Sequence, residues 1–232
     1  MFQRTEDREQ KKMRYHDLHK WDISPREAIR LQEKLREKVV LRKIPVSKVR
    51  RIAGVDVSVK DDRSKAAIVV LSYPGLEIIE TAVATAKVPF PYVPGLLSFR
   101  EGPVILKCVK KLKTEPDLFV FDGQGLAHPR RIGLATHMGL ILAKPSIGSA
   151  KSHLYGNFKM PGRKKRSYSL ITDKDGSSIG AVVRTRDATN PVFVSPGHLA
   201  DITSSVNVIL ACSPIYKIPE PIRAAHNAAS LT

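Results

Sequence analysis

The chain has 232 residues, 42% hydrophobic and 26% charged, so it can build a packed core and does not have the composition of a disordered segment. Lys and Arg number 39 against 22 Asp and Glu, a net charge of +17, which favours a polyanionic partner: nucleic acid first, an anionic membrane surface second. No apolar run approaches the ~18 residues of a membrane span, no long basic amphipathic helix stands out, and Cys108 and Cys212 lack a CxxC partner, which argues against membrane insertion, a zinc site and a disulfide framework.

Residues 1–22 are polar, without an apolar signal core, so a cytoplasmic location is expected. They form an expected loose extension, with Trp21 packing back on the domain that fills residues 23–232. Ser24 and Pro25 start a helix as cap and first helical residue. Ala28, Leu31, Leu35 and Val39 continue it at helical spacing to Val40. Three strands follow, over residues 51–59, 66–73 and 78–88, with connections short enough for an antiparallel meander. Residues 88–97, VPFPYVPGLL, hold three prolines and cannot be regular structure. A helix is predicted over 98–112, a buried strand over 117–121, a helix to about 143 and a short strand over 145–150. A basic loop (158–166), a hairpin (168–172 with 179–186), a short strand (192–195) and helices over 200–212 and 221–230 complete the chain. The sum is a single α/β domain with a mixed sheet flanked by helices.

Two carboxylates stand out. Asp56 interrupts a very apolar strand, where an Asp is costly unless it is hydrogen-bonded, paired or bound to a cation. Asp122 ends another apolar strand just before Gly123, the place where open α/β sheets put ligands. If these strands are neighbours, the two side chains meet, and Glu101, near the start of the intervening helix, can reach the same point. Taken singly, Glu101 reads as a surface helix residue and Asp122 as a turn residue. Converging in a chain of charge +17, the three suggest hard divalent cations, Mg²⁺ or Mn²⁺, and phosphodiester cleavage.

Several motifs occur in one order from about residue 25 to the end. They are IAGVDVSV around Asp56, PYVPGLLSFRE from Pro91 to Glu101, FDGQGLAHPRRIGLATHMG from Phe121 to Gly139, PSIGSAKSHLYG from Pro145, FVSPGH from Phe193 and PEPIRAAH from Pro219. On them the chain resembles the endonuclease V family, deoxyinosine-directed nucleases with an RNase H-like fold. The resemblance implies that Asp56 and Asp122 are direct metal ligands joined by Glu101, that Lys151 faces the reactive phosphate, and that His226 positions the water or a metal-bound group. It implies that Tyr92, Val93, Pro94 and Gly95 form a wedge that fills the gap left by a flipped base. Gly95, Gly123, Gly125 and Gly133 would let main-chain atoms crowd that base, with Leu97 and Leu154 as walls and His128, Arg130 and Arg131 shaping the pocket or contacting phosphate. The loop Arg163-Lys164-Lys165-Arg166 offers a sequence-independent phosphate contact.

The implied reaction is a Mg²⁺-dependent nick, with Mn²⁺ as substitute, at the second phosphodiester 3′ of deoxyinosine, leaving 3′-hydroxyl and 5′-phosphate ends. The expected partner is DNA containing deoxyinosine; no membrane and no obligate protein partner are expected. Inosine in RNA remains an alternative substrate, and a non-catalytic nucleic-acid-binding protein an alternative class, opposed by the intact Asp56, Glu101, Asp122 and Lys151.

Overall fold

The computed structural model describes residues 13–230. Helix α1 (Pro25–Arg36) begins in a capping box: the Ser24 hydroxyl accepts from the Glu27 amide while the Glu27 carboxylate accepts from the Ser24 amide. Strands β1 (Arg51–Lys60), β2 (Arg63–Ser72) and β3 (Ile78–Lys87) form the antiparallel meander. Helix α2 (Leu97–Val109) leads to β4 (Leu118–Phe121), then come α3 (Leu134–Leu142) and β5 (Ser146–Ala150). Both β4 and β5 join the sheet in parallel, each after a helical crossover. Strands β6 (Asn157–Phe158), β7 (Tyr168–Thr172), β8 (Ser178–Val183) and β9 (Val192–Pro196) return antiparallel, giving a nine-stranded order β3-β2-β1-β4-β5-β9-β8-β7-β6 among the described residues. Helices α4 (Ile202–Ala211) and α5 (Glu220–Ala229) close the chain.

Alternation along the central strands divides the core into two layers. Ala53, Val55, Phe119 and Phe121 pack beneath α2 and α3 with Ile105, Met138 and Ile141. Their neighbours Ile52, Leu118 and Val120 point the other way, against Ile209 of α4 and Ile222 of α5. Strand β4 is buried on both faces, which is why it reads as an unbroken apolar run. Helix α5 presses on β1 so closely that a Cβ at Gly54 would lie 1.8 Å from the Pro221 carbonyl oxygen.

Strand β2 begins at Arg63 rather than at residue 66, α2 ends at Val109 rather than at residue 112, and three further details depart from the sequence reading. Helix α1 stops at Arg36 rather than Val40, because the Val40 backbone bonds elsewhere: its carbonyl accepts from Leu199 N and its amide donates to His198 Nδ1. Strand β8 ends at Val183, where buried Arg184 turns its guanidinium onto the carbonyls of Pro161, Gly162 and Thr189. The segment expected as loop from Phe158 begins instead with the short edge strand β6.

Residues 1–12 of the expected extension lie outside the described residues. Residues 13–22 are packed on the domain. Met13 is buried against the α2–α3 layer, and Trp21 covers Gly102, where a Cβ would come within 2.3 Å of the indole. Beside Trp21 a chain of hydrogen bonds runs inward: His19 Nδ1 to Lys20 O at 2.8 Å, His19 Nε2 to His137 Nε2 at 2.7 Å, His137 Nδ1 to Ser98 Oγ at 2.9 Å. Burial drives the pKa of fully buried His137 down to about 3 and lowers that of His19, so both rings are neutral near pH 7.

Candidate active site

The parallel register of β1 and β4 pairs Val55 with Phe121 and lets the Asp122 amide donate to Val55 O at 3.0 Å. One step further on each strand are Asp56 and Asp122, now side by side. Helix α5, seated on Gly54, swings His226 over the same point. Its Nδ1 lies 2.7 Å from Asp56 Oδ2, and Lys151, just past β5, reaches Asp122 Oδ2 at 2.8 Å. Among the described residues Asp56, Asp122 and His226 form a group whose candidate ligand atoms all lie within 4.8 Å of one another. The two carboxylates are largely withdrawn from solvent (11% and 15% exposed) whereas His226 and Lys151 are open (58% and 46%), so the anions form the floor and the nitrogens the rim.

Glu101 stands on α2 just past its first turn, outside that group but within the field of both aspartates. Burial first, and repulsion from Asp56 and Asp122 second, raise its pKa from 4.5 to about 8. Burial also raises Asp122, against the opposing hydrogen bond from Lys151. Three carboxyl groups are therefore crowded together, with Arg100 and Lys151 opposing the rise at Glu101 and Asp122 respectively without cancelling it. An oxygen-rich set of this kind fits a hard divalent cation.

Next to the carboxylates, and sharing Asp122 and Lys151 with them, opens a cleft of about 340 Å³. Tyr92, Val93, Pro94, Gly95, Leu97, Gly123, His128, Gly133 and Leu154 all border it. Its mouth is framed by Tyr92, 71% exposed, and Leu154, 44% exposed. The Tyr92–Gly95 loop is pinned at its base, because the Gly95 carbonyl accepts from Gln32 Nε2, His128 Nε2 and Arg130 Nη2 at 2.9–3.0 Å. Gly95 has φ +79°, and a side chain there would meet Arg130 Nη2 at 2.8 Å, so this corner needs glycine twice over. His128 Nδ1 accepts from the Arg130 amide, which makes Nε2 the protonated nitrogen; burial drives the ring's pKa down to about 4, so it acts as a neutral brace.

Some predicted residues lie elsewhere. Gly125 does not border the cleft. It packs behind it against β9, where a Cβ would lie 2.2 Å from Pro196 O, and its amide donates to Ser195 Oγ. Arg131 is held by Asp173 and Asp175 at 2.7 and 2.6 Å, away from the cleft. In the basic loop, Lys165 donates to the carbonyls of Ser213 and Pro214 and so ties two loops together. Sequence reasoning missed Gln32, Ser98 and Gln124. Gln32 is only 1% exposed and holds Gly95 O, Ile132 O and Arg130 Nε. It lies four residues after Ala28 and three before Leu35, on the predicted inner face, and a polar residue there was the signal available.

The family model described as Endonuclease V matches residues 33–227. Endonuclease V of Methanothrix thermoacetophila is 47% identical over 214 residues, 92% of this chain and 94% of its own length. The crystal structure of Endonuclease V from Bacillus subtilis superposes with a TM-score of 0.89 at 33% identity, over 94% of this chain and 95% of that one. That of Ciona intestinalis Endonuclease V, in complex with a 24mer DNA containing an inosine followed by a ribo-adenosine, has a TM-score of 0.77 at 26% identity, over 88% of this chain and 95% of that one.

Proposed function

Because the chain belongs to the endonuclease V family of nucleases, we propose that it is a Mg²⁺-dependent DNA repair endonuclease that nicks the second phosphodiester 3′ of deoxyinosine and leaves 3′-hydroxyl and 5′-phosphate ends. One observation carries the reading: Asp122 of the carboxylate floor and its rim partner Lys151 both line the cleft, so a base in the cleft has its own strand lying across the carboxylates. The cleft volume lies at the lower end of small-ligand sites, as suits one extruded base. Tyr92, projecting from a loop pinned at Gly95, is placed to enter the vacated stack.

Asp56, Asp122 and Glu101 would hold the cation, Mg²⁺ or Mn²⁺, which when bound supplies charge neutralisation at the phosphate and activation of water. The remaining steps belong to the chain. A carboxylate can only accept, so the 2.7 Å contact places a proton on His226 Nδ1 and leaves Nε2 of the exposed ring to orient the attacking water. Lys151 brings an ammonium to the rim, where negative charge develops on the phosphoryl oxygens.

The test is cleavage of a 5′-labelled strand with one deoxyinosine. Mg²⁺-dependent nicking at one position is expected, with loss of at least ~10³-fold in Asp122→Ala and near-normal binding; unchanged nicking by Asp122→Ala would remove the cation site. The ribo-adenosine in the DNA bound to the Ciona relative supports a second reading, in which inosine followed by a ribonucleotide is the better substrate. Strands differing only in that 2′-hydroxyl decide between them.

A further inference from the structure

A second groove, of about 430 Å³, begins on the far side of the carboxylates. It shares Lys151 and His226 with them and is lined beyond by Arg186, Tyr216, Lys217 and Arg223. Lys151 also borders the first cleft, so cleft and groove meet at this one side chain, beside the carboxylates that Lys151 and His226 contact. The groove is built. Thr185 Oγ1 donates to Lys217 O at 2.6 Å, which joins the segment after β8 to the one before α5, and Lys165 Nζ, from the loop before β7, donates to the Ser213 carbonyl at 2.8 Å. Glu220 holds the Arg223 guanidinium at 2.8 Å, and that guanidinium lies over one face of the Tyr216 ring, 4.6 Å from its centroid. Tyr216 remains 45% exposed. A braced, exposed aromatic among cations is the arrangement by which proteins take single-stranded nucleic acid: phosphates on the cations, a base on the ring. Neither Arg186 nor Lys217 makes an ion pair or donates a side-chain hydrogen bond in the structure of the described residues.

We propose that this groove holds the strand on the 3′ side of the scissile phosphodiester as a single strand, with Arg186 and Lys217 on its phosphates and one base stacked on Tyr216. The direction rests on the nuclease reading above: with the flipped base in the cleft and the cut 3′ of it, the chain leaving the carboxylates toward the groove is the 3′ portion. After cleavage the groove would then retain the 5′-phosphorylated product.

Two measurements on the full chain test this. In the first, deoxyinosine strands ending one nucleotide past the cut are compared with strands extending ten further. Wild type should lose about tenfold in kcat/KM on the short strand. Tyr216→Ala and Arg186→Ala/Lys217→Ala should lose ~fivefold or more on the long strand and nothing further on the short one. Equal losses on both lengths would overturn the proposal. In the second, a 5′-phosphorylated 12-nucleotide strand without inosine is titrated at several salt concentrations. Arg186→Ala/Lys217→Ala should lower the salt slope by about 1.4, at ~0.7 per phosphate contact on single strands. An unchanged slope would overturn the proposal even if no strand were cut, so failure of the groove and failure of the nuclease reading are told apart.

Discussion

Glu101 concentrates the cost of the site in one side chain. With its pKa raised to about 8, the folded protein binds a proton there that the unfolded chain releases near 4.5. The stability from that proton is complete below about 4.5 and is lost as pH rises through 8. In EDTA, the thermal midpoint of wild type should therefore fall between pH 7 and pH 8.5, above the range where the buried histidines act, and that of Glu101→Gln should fall less, by a few degrees in calorimetry. Mg²⁺ should raise the wild-type midpoint at pH 8.5 more than that of the variant. Equal pH dependence in both proteins would mean that Glu101 carries no such strain. Asp56 and Asp122 were legible from sequence because each breaks an apolar strand. Glu101 was legible only in company with them, since an isolated Glu on a helix reads as surface. Gln32, Ser98 and Gln124 were not picked out, because what distinguishes each is a set of tertiary partners.

At the scale of elements, two contacts set the site. The β1–β4 register carries Asp122 to Asp56, and the seat of α5 on Gly54 carries His226 to Asp56. The first could be anticipated from two apolar strands each bearing a carboxylate. The second could not, because nothing local marks Gly54 as a helix-packing position. Gly54→Ala would drive a methyl into the Pro221 backbone, and backbone cannot step aside as a side chain does. We expect a loss of about 3 kcal/mol in denaturant unfolding, together with reduced kcat from displacement of His226. A variant as stable as wild type would show that α5 tolerates a shift. The ends of α1 and β8 were misjudged for a related reason: Val40 and Arg184 take long-range partners that outbid local propensity.

Across the whole molecule, buried histidines make the fold acid-sensitive. His128 and His137 have pKa values lowered to about 4 and about 3 by burial. Both are depressed from an ordinary 6.5, so their contribution is complete above about pH 6.5 and is lost as pH falls toward those values, because the unfolded chain takes up protons the folded one refuses. Each should cost about 2 kcal/mol between pH 7 and pH 5. In Glu101→Gln, which lacks the opposing carboxyl, the midpoint should drop by several degrees over that range, and adding His137→Gln should roughly halve the slope whatever the absolute stability. A flat profile in Glu101→Gln would contradict the burial of these rings. The net charge of +17 was visible from the outset and suggested nucleic acid. Where that charge is free and where it is spent was not, since Arg131 and Lys165 serve the fold.

The chain of contacts from Lys20 to Ser98 has a direction. The Lys20 carbonyl can only accept, so the His19 proton sits on Nδ1 and its Nε2 receives the proton of His137 Nε2. His137 Nδ1 is then a bare lone pair, and it takes the hydroxyl proton of Ser98. Ser98, a residue on the cleft wall, is left with lone pairs alone: it can receive a hydrogen from a neighbour but has none to give. A carbonyl in the segment before the first helix thus sets the polarity of a hydroxyl on the cleft wall, through two histidines that only folding brings together.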